Sequence, residues 1–194
     1  MFVDWNLLLT TVVGSGAGFA VVTLIFEQFR YKEQRTETAG YLALQLAFNF
    51  EAFASQCSDV VSDDELAEEH DGHVGKRIGG VPPFAALPES EAYKLLQTSL
   101  LHEVMEFPQR RELAQQRVSF WWDVVGDDDS YKGAAVEQTL LLGDRALKLA
   151  KRLRQTYRLP SRDFNVDDWN LETHLDKKAR EVKENQRRRE QPSD

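Results

Sequence analysis

Residues Tyr41 to Val61 read YLALQLAFNFEAFASQCSDVV. Leu42, Leu46, Phe50, Phe53, Cys57, Val60 and Val61 recur in steps of three or four, the repeat of a helix that buries a wide apolar stripe. Such a stripe has to be covered by other elements, and no alternating strand pattern elsewhere competes, so the expected fold class is all-α. Helix character is expected to fade near Ser62. Cys57 lies on the stripe and is the only cysteine. It reads as core, because a nucleophilic thiol needs a base and an electropositive setting that this neighbourhood lacks. A single cysteine also excludes an intramolecular disulfide and a thiolate metal cluster.

Toward the N-terminus, residues 29–40 are polar, carry mixed charges and contain no proline, which predicts a helical stalk. Before it, Trp5 to Phe26 read WNLLLTTVVGSGAGFAVVTLIF, with no Asp, Glu, Lys, Arg or His. As a helix this run spans about 33 Å, enough for a hydrocarbon core about 30 Å thick, so residues 1–28 are expected to form a single transmembrane anchor. A cleaved signal peptide fits less well, since Asp4 stands where a basic region belongs and Val21 to Phe26 prolong the run. Arg30, Lys32 and Arg35 follow the run and no Lys or Arg precedes it. The positive-inside rule then places the chain as single-pass in the cell membrane, N-terminus outside and C-terminal domain cytoplasmic. Thr10, Gly14 and Gly18 recur every four residues on one helix face, a small-residue pattern that predicts self-association in the membrane.

Toward the C-terminus, the acidic segment 63–73 holds Asp64, Glu68, His70 and His73. These are oxygen and imidazole donors, so a metal-dependent enzyme or metal sensor is the alternative function, with His102 as a further candidate ligand. An EF-hand alignment with Gly72 as its glycine puts Ala67 first and Ile78 last, so that motif fails, and a solvated acidic helix end is the preferred explanation. Residues 72–88 carry Gly75, Gly79, Gly80, Pro82, Pro83 and Pro88 between apolar side chains, which predicts a loop packed back onto the bundle. Gly75 and Lys76 do not make a phosphate loop, because His70 and Arg77 occupy required positions.

A helix capped by Ser90 is expected through Met105, with a helix–helix corner at Phe107 and Pro108. His102, Glu103 and Glu106 lack the second histidine of a zinc protease motif. The following helix reaches Val125 and contains Phe120, Trp121 and Trp122, which as consecutive helical residues point three ways. Trp121 and Trp122 are therefore candidate anchors for a partner. Another helix runs from Ser130 to before Pro160, and a last one from Asp167 carries Leu171, Leu175, Ala179 and Val182 before the basic Arg187 to Arg189 and a disordered tail. The bundle, about four helices, thus covers 41–165, and the charged C-terminal helix and tail 166–194.

A net charge of -8 speaks against a nucleic-acid partner. No catalytic set, cofactor motif or small-molecule site emerges. The expectation is a non-enzymatic membrane-anchored helical scaffold or adaptor that works through a protein partner or a homo-oligomer.

Overall fold

The computed structural model describes residues 16–190. Helix α1 runs Gly16–Glu69, 54 residues, without a break. Leu42, Leu46, Phe50, Phe53, Cys57 and Val61 are all buried along one face, as the spacing predicts. The helix does not fade at Ser62. Its stripe continues through buried Asp64 and Ala67, and it ends where Asp71 turns left-handed (φ 51°) and the Gly72 N–H closes on the Ala67 carbonyl at 2.7 Å. Asp64 escaped a hydrophobic count because it is a carboxylate, yet it accepts the Ile78 N–H at 3.0 Å and stands 3.6 Å from the Lys132 ammonium.

The remaining long elements are α2 (Thr98–Phe120), α3 (Asp128–Thr156) and α4 (Leu171–Glu190). Glu51 meets Arg154 and Glu68 meets Lys132, so α1 and α3 are antiparallel. Glu103 with Arg152, and Glu137 with Arg189, set α2 and α4 antiparallel to α3 as well. Helix α3 is therefore the shared partner of the other three, and α1 and α2 point the same way. Parallel neighbours require a return crossing, and residues 70–97 make it.

That crossing is packed. Ile78 and Val81 are buried, and Phe84 joins Phe50, Phe53 and Phe107 in an aromatic cluster with centroid distances of 4.9 to 5.5 Å. From α2, Arg111 donates to the Pro82 and Val81 carbonyls at 3.0 and 2.7 Å, and the Gln115 side-chain oxygen accepts the Val81 N–H at 2.9 Å. Gly75 is left-handed (φ 78°), and a Cβ there would come within 2.3 Å of the Asp63 carbonyl oxygen.

Other expected boundaries move as well, and α3 starts at Asp128 rather than Ser130. Ser90 caps only a 3-10 turn, Glu91–Leu95, by accepting the Ala92 N–H at 3.1 Å. The corner at Phe107 and Pro108 does not exist: Pro108 lies inside α2, because Leu100, Val104, Phe107, Ala114 and Val118 on both sides of it share one buried face. Burying that face outweighs the hydrogen bond that proline forfeits. Two expected helices are thus one, leaving four among the described residues. The last helix starts at Leu171, since Asp167 is left-handed (φ 52°) in a two-stranded hairpin pairing Asn165 with Asn170 and Val166 with Trp169. Asn170 caps α4 by accepting the Thr173 N–H at 2.8 Å.

Among the described residues no helix is long and apolar enough to cross a membrane. Of the expected span, residues 5–15 lie outside the described residues, and Gly16 to Phe26 form the start of α1. The expected tail around Pro192 also lies outside them.

Candidate interaction surfaces

Helix α2 passes into one π-helical turn, Trp121–Val125, which ends at left-handed Gly126 (φ 67°), whose N–H reaches the Trp121 carbonyl at 3.0 Å. Asp127 then caps α3, its carboxylate accepting the Ser130 N–H at 3.2 Å. The Asp127 carboxyl is held below its usual range, first by a hydrogen bond from the Ser130 side chain and then by the backbone N–H groups of Ser130 and Asp129. The wide turn leaves Phe120, Trp122 and Val124 exposed at 51, 57 and 67 %. Trp122 keeps one edge against Tyr131, with centroids 5.7 Å apart, while Phe120 meets Trp121 edge-on at 6.0 Å. Asp123, Asp127, Asp128 and Asp129, all exposed, lie among and just after them in the chain. The result is a turn that exposes both apolar and acidic side chains, at the same end of the bundle as Glu69.

Of the two tryptophans singled out, Trp122 faces solvent and Trp121 is half-buried against α3 near Gly133 and Glu137. Phe120 and Val124 were not picked out. Their exposure follows from their place at the turn between α2 and α3, where no further element among the described residues covers them. Thr10 and Gly14 lie outside the described residues, and Gly18 lies in the first turn of α1.

The segment 63–73 does not gather its donors. Asp64 is buried and occupied by Ile78 and Lys132, Glu68 pairs with Lys132 and with Arg77 at 3.9 Å, and His70 and His73 are exposed. The hydrogen bond from Lys132 is the main reason the Glu68 carboxyl sits below its usual range. His102 is on α2, exposed, 4.0 Å from Glu106. Among the described residues no group of three or more His, Cys, Asp or Glu is placed to hold a metal ion.

A buried charge network went unnoticed in the sequence. Glu51 is 2 % exposed inside the α1 stripe, and Arg154 grips it twice, at 2.6 and 3.0 Å. Arg162 adds a third contact at 3.1 Å, and both guanidinium groups lie over the Phe48 ring, at 5.1 and 5.9 Å from its centroid. Arg154 also donates to the Pro160 carbonyl at 2.6 Å, which closes the turn after α3. The carboxylate is thus saturated, and the network joins α1, α3 and the following turn. Glu51 next to Ala52 and Phe53 gave no local sign of this, because its partners lie about a hundred residues away.

Comparison of the chain with models of known protein families, with characterised proteins and with solved structures finds no match to it.

Proposed function

We propose that this chain is a membrane-anchored, non-enzymatic helical scaffold or adaptor, with residues 5–26 as its single span and its bundle on the cytoplasmic side. The observation that carries this reading is the continuity of α1, which starts inside the apolar run and ends in the bundle core as one rod from Gly16 to Glu69. A break or a flexible linker after Phe26 would uncouple the bundle from the apolar segment, whereas a continuous helix holds the two at a set distance. From Phe26 to Glu69 that distance is about 65 Å along the axis. The exposed Phe120, Trp122 and Val124 therefore stand at the end of a lever, far from the apolar run, which suits contact with a protein rather than with lipid. Thr10, Gly14 and Gly18 supply a second contact, between membrane helices.

Two measurements on the full-length chain test this. Carbonate extraction should leave it in the membrane pellet, with the bundle reached by protease only from the cytoplasmic face. Crosslinking in native membranes should trap an oligomer or a stable partner, weakened by Gly14→Ile with Gly18→Ile or by Trp122→Asp. Release by carbonate, or a strictly monomeric and partnerless protein, overturns the proposal.

A further inference from the structure

Helix α3 is flanked by α1, α2 and α4, and between α2 and α4 its surface is uncovered. An open trough of about 540 Å³ runs there. Its α2 wall is made by Glu103, Arg110, Leu113, Ala114 and Arg117, and its α3 floor by Gln138, Leu141, Leu142, Arg145, Leu149 and Arg152. Apart from the adjacent pairs Leu113–Ala114 and Leu141–Leu142, both sets advance by three, four or seven residues, so each is one helix face turned toward the same line. From Glu103 to Arg117 the line is about 21 Å long, four turns of a helix. Leu113, on the wall, is 64 % exposed.

The charge of this trough opposes that of the chain. Arg110, Arg117, Arg145, Lys148, Arg152 and Lys183 line it, against Glu103 and Asp144, in a protein of net charge -8. Glu106 answers Arg110 at 2.7 Å and Arg145 at 3.8 Å, Glu103 answers Arg152 at 2.6 Å, and Asp144 serves Lys148 and Lys183 at 2.6 and 3.6 Å. Cations still outnumber carboxylates. The Arg117 side chain has no hydrogen-bond or ion-pair partner among the described residues. The Arg110 Nε is a buried donor without an acceptor.

We propose that this trough is the docking site for an acidic amphipathic helix of a partner protein. Leucine-like side chains of that helix cover Leu113 and Leu141, and its flanking carboxylates meet Arg117, Arg145 and Arg152. The proposal rests on the scaffold reading for its need of a partner, and it names that partner's chemistry. The open, elongated shape suits a helix and gives a small molecule little enclosure.

The test uses the full-length chain in lipid nanodiscs, with empty discs subtracted, and a labelled helical peptide of about 18 residues with leucine at heptad core positions and glutamate elsewhere. Fluorescence anisotropy should show binding that weakens as salt rises. A lysine-for-glutamate version and a scrambled sequence of the same composition should not bind. Arg117→Glu, at a side chain with no partner among the described residues to lose, should weaken binding at least tenfold, and Arg117→Glu with Arg145→Glu further still, while circular dichroism shows unchanged helix content. No binding of the glutamate peptide, equal binding of the scrambled one, or indifference to Arg117→Glu overturns the proposal. Carbonate extraction and crosslinking report on the scaffold reading separately.

Discussion

Glu51 shows what a single residue contributes here. A carboxylate in an apolar stripe is costly unless fully paired, and Arg154 and Arg162 supply that pairing at 2.6 to 3.1 Å. The Glu51 hydrogen bond is also the main reason the Arg154 guanidinium holds its proton more firmly than usual. Glu51→Gln leaves Arg154 buried with no full counter-charge from α1, and should destabilise the fold by about 3 kcal/mol in urea denaturation followed by circular dichroism. Replacing both members, Glu51→Leu with Arg154→Met, should restore most of that loss, because no unpaired charge then stays buried. If Glu51→Gln unfolds at the same urea concentration as the native chain, the network has no part in stability. Cys57 lies two helical turns further on, 0 % exposed, and burial pushes its thiol up, away from the ionised form. Its neighbour across the interface is Gly143, where a Cβ would stand 2.9 Å from the Cys57 Cβ. The inert reading of that cysteine therefore holds, and its small size lets α1 and α3 approach closely.

Among the elements, the crossing 70–97 packs onto the bundle as the apolar residues between its glycines and prolines predict. Glycines and prolines mark it as a loop, yet Phe84 inserts between Phe50, Phe53 and Phe107 in the place where a helical bundle would put another helix. The crossing is held by that ring, by the buried Ile78 and Val81, and by Arg111 and Gln115 from α2. Phe84→Ala should cost about 3 kcal/mol and free the crossing before the helices. Limited proteolysis should then cut between Gly79 and Leu87 while helix content stays nearly native; cleavage no faster than in the native chain would show that Arg111 and Gln115 hold the segment by themselves. Helix α2 makes the complementary point. Pro108 is a valid stop signal by local rules, and it is overridden because the residues on both sides of it belong to one buried face.

For the molecule as a whole, the surface is a lattice of ion pairs, and its response to acid follows from their signs. Hydrogen bonds from Lys132, Arg110 and Lys148 are the largest influences holding the carboxyls of Glu68, Glu106 and Asp176 below their ordinary values of 4.5, 4.5 and 3.8. Each therefore contributes stability above its ordinary value and loses it as pH falls below. His174 is half-buried on α4, facing Lys177, Lys178 and Glu181 of its own helix and Glu65 of α1. Burial, then the Lys178 charge, holds its imidazole below 6.5, so the folded state favours the neutral ring and loses stability as pH falls beneath that value. Asp59 works in the opposite direction, raised by burial and by Asp63. The expected profile of melting temperature declines in two stages, a shallow one below pH 6.5 and a steep one below pH 4.5. His174→Gln should remove the first stage, and added salt should reduce the second. A profile flat down to pH 4.5 would show that His174 is as well solvated folded as unfolded.

The three-and-four spacing after Tyr41 determined on its own that this chain is helical and which face of α1 is buried, since periodicity is a local property that survives any arrangement of neighbours. The same holds for the capping role near Ser90, the acidic turn at Gly126 and the buried stripe of Leu171, Leu175, Ala179 and Val182. Local pattern could not tell how far a helix extends once polar or proline residues interrupt it, as at Asp64 and Pro108, because there the deciding energy comes from groups distant in the chain. Nor could it pair Glu51 with Arg154, leave Phe120, Trp122 and Val124 exposed at the turn between α2 and α3, or leave α3 uncovered between α2 and α4. Those features arise when three helices settle around α3, and both candidate docking surfaces are among them.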